Sequence, residues 1–490
     1  MRHAQPAALA RLARRLGRGI PAATLLPTVA AAAALAAGGL AASGPAAPLA
    51  AQDPPVVLRG GWLFDGTGSA RVRNPGIVVR DGVIMAVGEG ASDLDLPAAR
   101  VVRLEDDETV LPGFFDLHAH YNVQLVGRKR TEEFVVQPTV YLANGVTSTF
   151  PAGEYDPEGM MRLRERIDRG EQAGPRIYDS GPYFGRARPG WDPDAIDRDS
   201  LYAEVDYWAE HGVRGFKAKI IDADHLRWLI QRAHAHGLTV TGHLGSGYRG
   251  VVNPRDAVLM GIDRVEHFIG GDAFPATRSA YASLSRMTPD TPGYREEIAL
   301  FRRHGVTFDA TVTAYGYFAP HRDSLFDSWT DETRFFTPEV REWARTHDRP
   351  SVASFDSIYR AKCALLAAYS RGGGRLGVGT DHPSWGEFLP GFGYHRELEA
   401  YVRCGVPPAA TLRAATAGGA RGMNVSDKLG TVEAGKYADL VVVEGNPLAD
   451  IRATRNVRMV MKSGRIYDPK ELLEGVVGKL GPPPYESPAP

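Results

Sequence analysis

Along most of the chain, apolar residues at helical spacing run up to a polar residue and a glycine, and a short β-branched or apolar run follows at once. The unit recurs as "ANGVTSTF" at Gly145, "EHGVRGFKAKI" at Gly212, "AHGLTVTGH" at Gly237, "LMGIDRVEH" at Gly261, "RHGVTFDATV" at Gly305 and "RCGV" at Gly405. Glycine just past a helix takes the left-handed conformation that stops it, and an apolar run bounded in this way reads as a strand buried on both faces. With "LPGFFDLHAH", "PRIYDSGPYF" and "RLGVGTD" there are nine such segments, enough for the eight strands of a closed sheet, separated by helices or long loops. Such alternation predicts an α/β fold, a (β/α)8 TIM barrel rather than an open sheet, over residues 111–428.

The flanks have a different period. Residues 52–110 and 429–468 alternate apolar and polar positions between turn signals, as in "GIVVRDGVIMAVGEG" and "YADLVVVEGN". Neither stretch has strands enough to cover itself, so together they predict one small β-sandwich domain built from both chain ends. Residues 469–490 finish on "GPPPYESPAP" and are expected to form a flexible, proline-rich tail. The first 51 residues stand apart, because Arg2, Arg11, Arg14, Arg15 and Arg18 precede an Ala-rich apolar stretch that gives way to "AAQDPP". This is the layout of a secretory signal peptide cut near Ala51, and it predicts export to the periplasm or beyond. A retained membrane anchor is the alternative, and the weak hydrophobicity of the run counts against it.

Composition removes several functions. A formal net charge of −1 over 490 residues, with no basic run after the N-terminus, gives no electrostatic case for nucleic acid. No later stretch is apolar enough to cross a bilayer, so no membrane partner is expected once the signal is removed. The two cysteines, Cys363 and Cys404, cannot build a disulfide scaffold and are expected to be buried thiols in helices.

Chemistry concentrates at the C-terminal ends of the expected strands, where barrel enzymes carry it. His118 and His120 end the first strand, and a period of two turns both imidazoles to one face. His243 and His267 each end a strand at the same offset from its glycine, and Asp381 ends "RLGVGTD". A second His-x-His, His234 and His236, lies in the last turn of a helix, where residues two apart point roughly 200° apart and cannot share an ion. Those two, with His211 and His304, suit a helix C-terminus, where an imidazole meets free carbonyls. Four imidazoles and a carboxylate are donors that Zn2+ accepts at ~2.0–2.2 Å. Two cations held ~3.5–4 Å apart call for a bridging anion. "GFKAK" puts Lys217 and Lys219 on one strand face, where a lysine converted by carbon dioxide to a carbamate would serve; a surface-reaching lysine is the equal alternative.

Taken together, "PGFFDLHAH", "GFKA", "TGH", "VEH", "GTDHP" and "AATAGGARGMNVSDKLGTVEAGKYADLVVVEGNPLADI" resemble the metal-dependent amidohydrolase superfamily over about residues 56–468. The branch is similar to imidazolonepropionase-related proteins, Xaa-Pro dipeptidases among them. The resemblance implies a binuclear site, with His118, His120 and Asp381 on one metal, His243 and His267 on the other, and Lys217 as the carbamate bridge. Lys219 is then a bystander. Nucleobase deaminases of this superfamily carry Glu three residues after the fifth-strand histidine; this chain has Ser246, which disfavours deamination.

The chemistry so implied is hydrolysis of a C–N amide bond in a small-molecule substrate, of dipeptide or N-acyl amino acid type. Two divalent ions, Zn2+ foremost, would activate a water, and Asp381 would be both ligand and base. Tyr315 or His382 could give the oxyanion a further donor, although His382, next to Asp381, is expected to point off the strand face. The long aromatic stretch with Tyr315, Tyr317, Phe318 and Trp329 is expected to be a pocket-shaping loop. Arg186, Arg188 and Arg249 could clamp a substrate carboxylate. A lactone, ester or cyclic amide is the alternative target, a non-catalytic relative of the fold is the third reading, and a homo-oligomer is compatible with all three.

Overall fold

The computed structural model describes residues 54–481, apart from 69, 94–95, 97, 124–130, 246–250, 270–291, 321–323, 328–330, 347–350 and 384–388. The expected signal peptide, Ser246, Arg249 and Trp329 lie outside the described residues.

In chain order the strands are β1 (Val56–Leu63), β2 (Val72–Arg73), β3 (Gly76–Arg80), β4 (Val83–Gly88), β5 (Arg100–Pro112), β6 (Phe114–Ala119), β7 (Asn122–Val123), β8 (Thr131–Glu132), β9 (Val146–Pro151) and β10 (Arg176–Ile177). They continue with β11 (Tyr183–Phe184), β12 (Gly215–Lys219), β13 (Thr239–His243), β14 (Arg264–Glu266), β15 (Thr307–Asp309), β16 (Arg375–Leu376), β17 (Leu440–Glu444), β18 (Val457–Lys462) and β19 (Arg465–Tyr467). The helices used below are α1 (Val136–Ala143), α2 (Pro157–Asp168), α3 (Arg198–Glu210), α4 (Ala223–Ala235), α5 (Pro254–Met260), α6 (Pro292–His304), α7 (Val312–Tyr317), α8 (Ala353–Arg371), α9 (Phe392–Arg403) and α10 (Pro469–Glu474).

The helices start where short polar side chains can hold free backbone N–H groups. Asp156, Asp197, Asp222 and Asn253 each accept from the amide three residues on, at the heads of α2, α3, α4 and α5. At the other end Gly261 closes α5 at φ 99°, a conformation that a side chain would strain. Gly405 also has positive φ, yet the segment after it is a helix, Pro408–Arg413, and not the expected strand. Pro407 and Pro408 explain the difference, since neither has an amide to give to a ladder and proline suits the first turn of a helix.

The parallel strands form two sheets, β10-β9-β6 and β11-β12-β13-β14-β15-β16. The register sets Lys217 beside Thr241, Lys219 beside His243 and Glu266 beside Asp309. Single hydrogen bonds cross from one sheet to the other. Glu154 donates to Gly181 O at 3.2 Å on one side; Leu117 donates to Val378 O and Asp381 to His118 O, both at 2.9 Å, on the other. The regular ladder is therefore interrupted at two seams. Alternation along β12 sends Phe216 outward against Phe184, ring centroids 5.4 Å apart, and turns Lys217 inward. Arg264 fills the interior below, its guanidinium 4.1 Å from the Phe150 ring and donating to Leu117 O.

Both chain ends meet in one mixed sheet of order β19-β18-β17-β5-β1-β3-β4, with β2 also paired to β1. The long β5 pairs antiparallel with β17, Val110 beside Val442, and then runs through Gly113 directly into β6. Leu58, Ile77, Ile84, Val110, Leu440, Val442 and Met461 form its apolar cluster. Lys462 ties this sheet to the parallel-strand region, donating to Gly174 O at 2.8 Å, while Arg176 donates to Ser463 Oγ at 2.8 Å.

Two expectations need correction. Residues 469–481 are not a free tail, because α10 is followed by Leu480, which is fully buried with Val136, Val140, Phe335 and Val476 and paired through its backbone to Phe335. The apolar residues Leu480 and Val476 outweigh the proline-rich end that follows them. Cys363 and Cys404 are not free thiols but a disulfide, which joins α8 to the C-terminus of α9. Among the described residues no helix is long and apolar enough to cross a membrane.

Truncating Leu480 to Ala should cost about 2–5 kcal/mol of stability, read by urea unfolding. Burial holds the Lys462 amine down to about 8, from an ordinary 10.5. The unfolded chain thus binds more protons between those values, and Lys462 makes stability rise with pH across that window. Lys462→Met should flatten that rise relative to wild type in unfolding measured at pH 7.5 and pH 10.

Candidate metal and active site

His118 and His120 project from the end of β6 with ring centroids 5.2 Å apart, each 2% exposed. Asp381 closes on both, its Oδ1 2.9 Å from His120 Nε2 and 3.3 Å from His118 Nε2. Beneath them Asp116 is fully buried and stitches the two strand ends together. Its Oδ1 accepts from the His118 and Thr380 amides at 3.0 and 3.1 Å, and its Oδ2 accepts from Thr380 Oγ1 at 2.7 Å. The glycines of "GVGTD" make room for this: a Cβ on Gly379 would stand 2.6 Å from His118 Cβ and 2.7 Å from Asp309 Oδ1.

The second half of the site comes from β13 and β14. The His243 and His267 ring centroids are 4.1 Å apart, and His267 is 4.9 Å from His118. His267 has φ 65°, and its Nδ1 is 2.6 Å from Thr311 Oγ1. That left-handed turn breaks the strand alternation, so Glu266 and His267, neighbours in sequence, both face the site. Glu266 was not expected there. It contacts Lys217 Nζ directly, accepts from Thr241 Oγ1 at 2.9 Å and lies 3.4 Å from His118 Nδ1. Asp309, also unforeseen, is 3.5 Å from the same nitrogen, and Lys217 Nζ is 3.5 Å from His118 Nε2.

Electrostatics leave most of this set in the state that cation binding requires. Burial drives His120 down to about 3 and takes His243 and His267 well below the usual imidazole range, so all three are neutral. Burial alone would raise Asp381, but His118 and the hydrogen bonds from His118 and His120 hold it well below the usual carboxylate range. His118 is the exception. Burial works against its charge, yet Glu266 and Asp381 raise it to about 9. Burial also pushes Asp116 up to about 6.

The residues suit a metal on chemical grounds. Nε2 of His267 is buried with no hydrogen-bond partner among the described residues. Two sets, His118, His120 and Asp381, and His118, Glu266 and His267, each bring donor atoms within 4.8 Å of one another. The two sets hold four of the six expected ligands; Lys217 Nζ reaches His118 Nε2 at 3.5 Å, and His243 joins through its ring contact with His267.

The expected substrate residues fare differently. Tyr315 is buried on α7, not on a loop, with its ring 6.0 Å from that of His267. His382 is buried with Nε2 2.8 Å from Thr313 Oγ1, pointing away from the donors that meet at Asp381. Arg186 is exposed beyond β11, and Arg188 is engaged by Glu204 at 2.5 Å. His234 and His236 bind separate carboxylates, Asp263 and Asp206. A cavity of about 410 Å³ lies at the opposite end of the strands, around Gly237, Gly261 and Gly305, with His234 and Asp263 in its lining and none of the six expected ligands.

Residues 109–467 match the profile of the Amidohydrolase family. The chain belongs to that family. As an amidohydrolase it is a hydrolase acting on carbon–nitrogen bonds. Among solved structures it is similar to a Xaa-Pro dipeptidase with bound methionine in the active site, at 22% identity and TM-score 0.63, covering 84% of this chain and 100% of that one. Molinate hydrolase matches at 20% and 0.63 over 89% of this chain and 100% of its own, and Aspergillus niger ochratoxinase at 18% and 0.62 over 87% and 99%. These likenesses give the amidohydrolase its TIM-barrel-type α/β fold. An uncharacterised protein of Mycobacterium bovis is 34% identical over 116 residues, which is 23% of this chain and 18% of that protein, so the match spans under a fifth of the relative's length.

Asp116→Ala leaves three buried donors without an acceptor, a loss of about 1–3 kcal/mol for each group that stays unsatisfied. The variant should unfold at lower temperature and retain less divalent metal after dialysis, measured by calorimetry and elemental analysis.

Proposed function

We propose that the chain is an exported, binuclear metal-dependent amidohydrolase that cleaves the C–N amide bond of a dipeptide or N-acyl amino acid. The observation that carries the reading is the ionised Asp381 between two β6 imidazoles, with a neutral imidazole pair one ring contact away. His118, His120 and Asp381 would hold one ion, His243 and His267 the other, and Lys217, carbamylated by carbon dioxide, would lie between them. When bound, two divalent ions such as Zn2+ supply Lewis acidity, lowering the pKa of water and polarising the scissile carbonyl. Without them a carbamate beside Glu266 would set two anions together in a buried site, which burial penalises.

The protein's own groups complete the reaction. Asp381, kept ionised, accepts a proton from the attacking water and passes it to the leaving nitrogen, a transfer that requires hydrogen-bond range. Asp116 and Thr380 keep that carboxylate in register with β6. Tyr315 stands beside His267 as an aromatic wall, their rings 6.0 Å apart. The substrate class draws support from the Xaa-Pro dipeptidase likeness and its bound methionine. Export draws support from the N-terminal pattern and from the disulfide, a bond at home in oxidising compartments. The parallel strand order fits a TIM-barrel-type α/β arrangement, with one mixed sheet formed from both chain ends beside it.

Elemental analysis of zinc-reloaded protein should find two ions per chain. Lys217→Ala should weaken metal retention at least about tenfold and abolish turnover in a dipeptide and N-acyl amino acid screen. One ion, indifferent to that substitution, would replace the binuclear mechanism with a mononuclear one.

A further inference from the structure

A buried lysine that belongs to none of the strands stands behind the site. Lys362, on α8, is 1% exposed, and its Nζ donates to His267 O at 2.6 Å. The same nitrogen lies 4.5 Å from the Phe268 ring centroid and 4.2 Å from that of Tyr315. A methionine would fill such a slot without burying a polar amine, so shape alone does not call for lysine here.

The backbone at His267 explains what the amine donor is for. At φ 65° the residue sits where a side chain is strained, and its carbonyl is turned out of the strand ladder. Four contacts hold that conformation: the Phe268 amide to Glu266 O at 2.7 Å across the turn, the His267 amide to Asp309 O at 2.9 Å, Nδ1 to Thr311 Oγ1 at 2.6 Å, and the carbonyl to Lys362. Only the last reaches in from a helix. The adjoining Cys363–Cys404 bond fastens that helix to α9, so the anchor point is itself fixed. Without Lys362 the carbonyl would lack its donor and residues 266–268 could return to extended backbone, which would restore alternation and swing the imidazole off the His243 ring.

We infer that Lys362 is a positioning residue: by holding the His267 carbonyl and the Tyr315 ring, it fixes the imidazole of the His243–His267 half of the site for a divalent ion. The inference rests on the two-ion reading above.

Metal-free protein titrated with Zn2+ against a chromophoric chelator tests it, with Co2+ absorption as the spectroscopic readout. Wild type should bind two ions. Lys362→Met should keep the first at wild-type affinity, bind the second roughly 10- to 100-fold more weakly and lose part of the cobalt d–d spectrum, with recovery in Lys362→Arg. A variant that binds every ion as wild type does overturns the inference, even if it melts earlier. Wild type taking up one ion overturns the two-ion reading alone, and Lys362 is then judged by whether Lys362→Met weakens that ion. If Lys362→Met does not fold, Lys362→Gln, which fills the slot without the charge, is read the same way.

Discussion

Buried carboxylates stay ionised where positive charge meets them, as Glu266 and Asp381 do, and much of the arrangement follows from meeting that condition. Glu266, Asp309 and Asp381 crowd one end of the parallel strands, with Lys217, Arg264 and His118 among them. Arg264 is fully buried against Phe150 and Leu117 O, a costly position for a guanidinium unless anions lie above it. The layered arrangement, arginine below, carboxylates and lysine in the middle, imidazoles at the mouth, gives the interior a polarity that a hydrophobic barrel core would lack.

Two residues convert that column into a site. His267 and Asp381 both have positive φ; His267 follows β14 directly, and Asp381 lies five residues beyond Leu376, where β16 ends. A regular strand would present alternate residues only. The left-handed turn lets Glu266 and His267 act from one strand end, one on Lys217 and the other on the ring of His243. At the β16 end the turn lets Asp381 meet β6 imidazoles while His382 withdraws behind it to Thr313. The strain is spread over surrounding contacts: Asp116, Thr311 and Lys362 come from three different elements.

The helix–glycine–strand unit made the parallel strands and their order legible, because stopping a helix needs a particular residue at a particular place. The five histidine and aspartate ligand positions followed from strand ends, and the helical His234–His236 pair was separable from them by period alone. What remained hidden depended on geometry that is not local. Glu266 was obscured by the very alternation that located His267. Lys362 reads as one more charged residue in an amphipathic helix until α8 is laid against β14 and α7. The pairing of Cys363 with Cys404 needs two helices to meet across a separation of 41 residues. Gly405 repeated the glycine signal, and the prolines after it carried the opposite meaning.

The long strand β5 has a topological effect beyond its own sheet. It is paired with β1 on one side and with β17 on the other, and it continues without a break into the strand that carries His118 and His120. While the chain is being made, one edge of β5 stays bare until the residues around Val442 have emerged, and the first catalytic strand is tethered to that open edge throughout. The sheet beside β6 therefore gains its last neighbour only late in synthesis, and the strand bearing the two histidines is held from an edge that closes last.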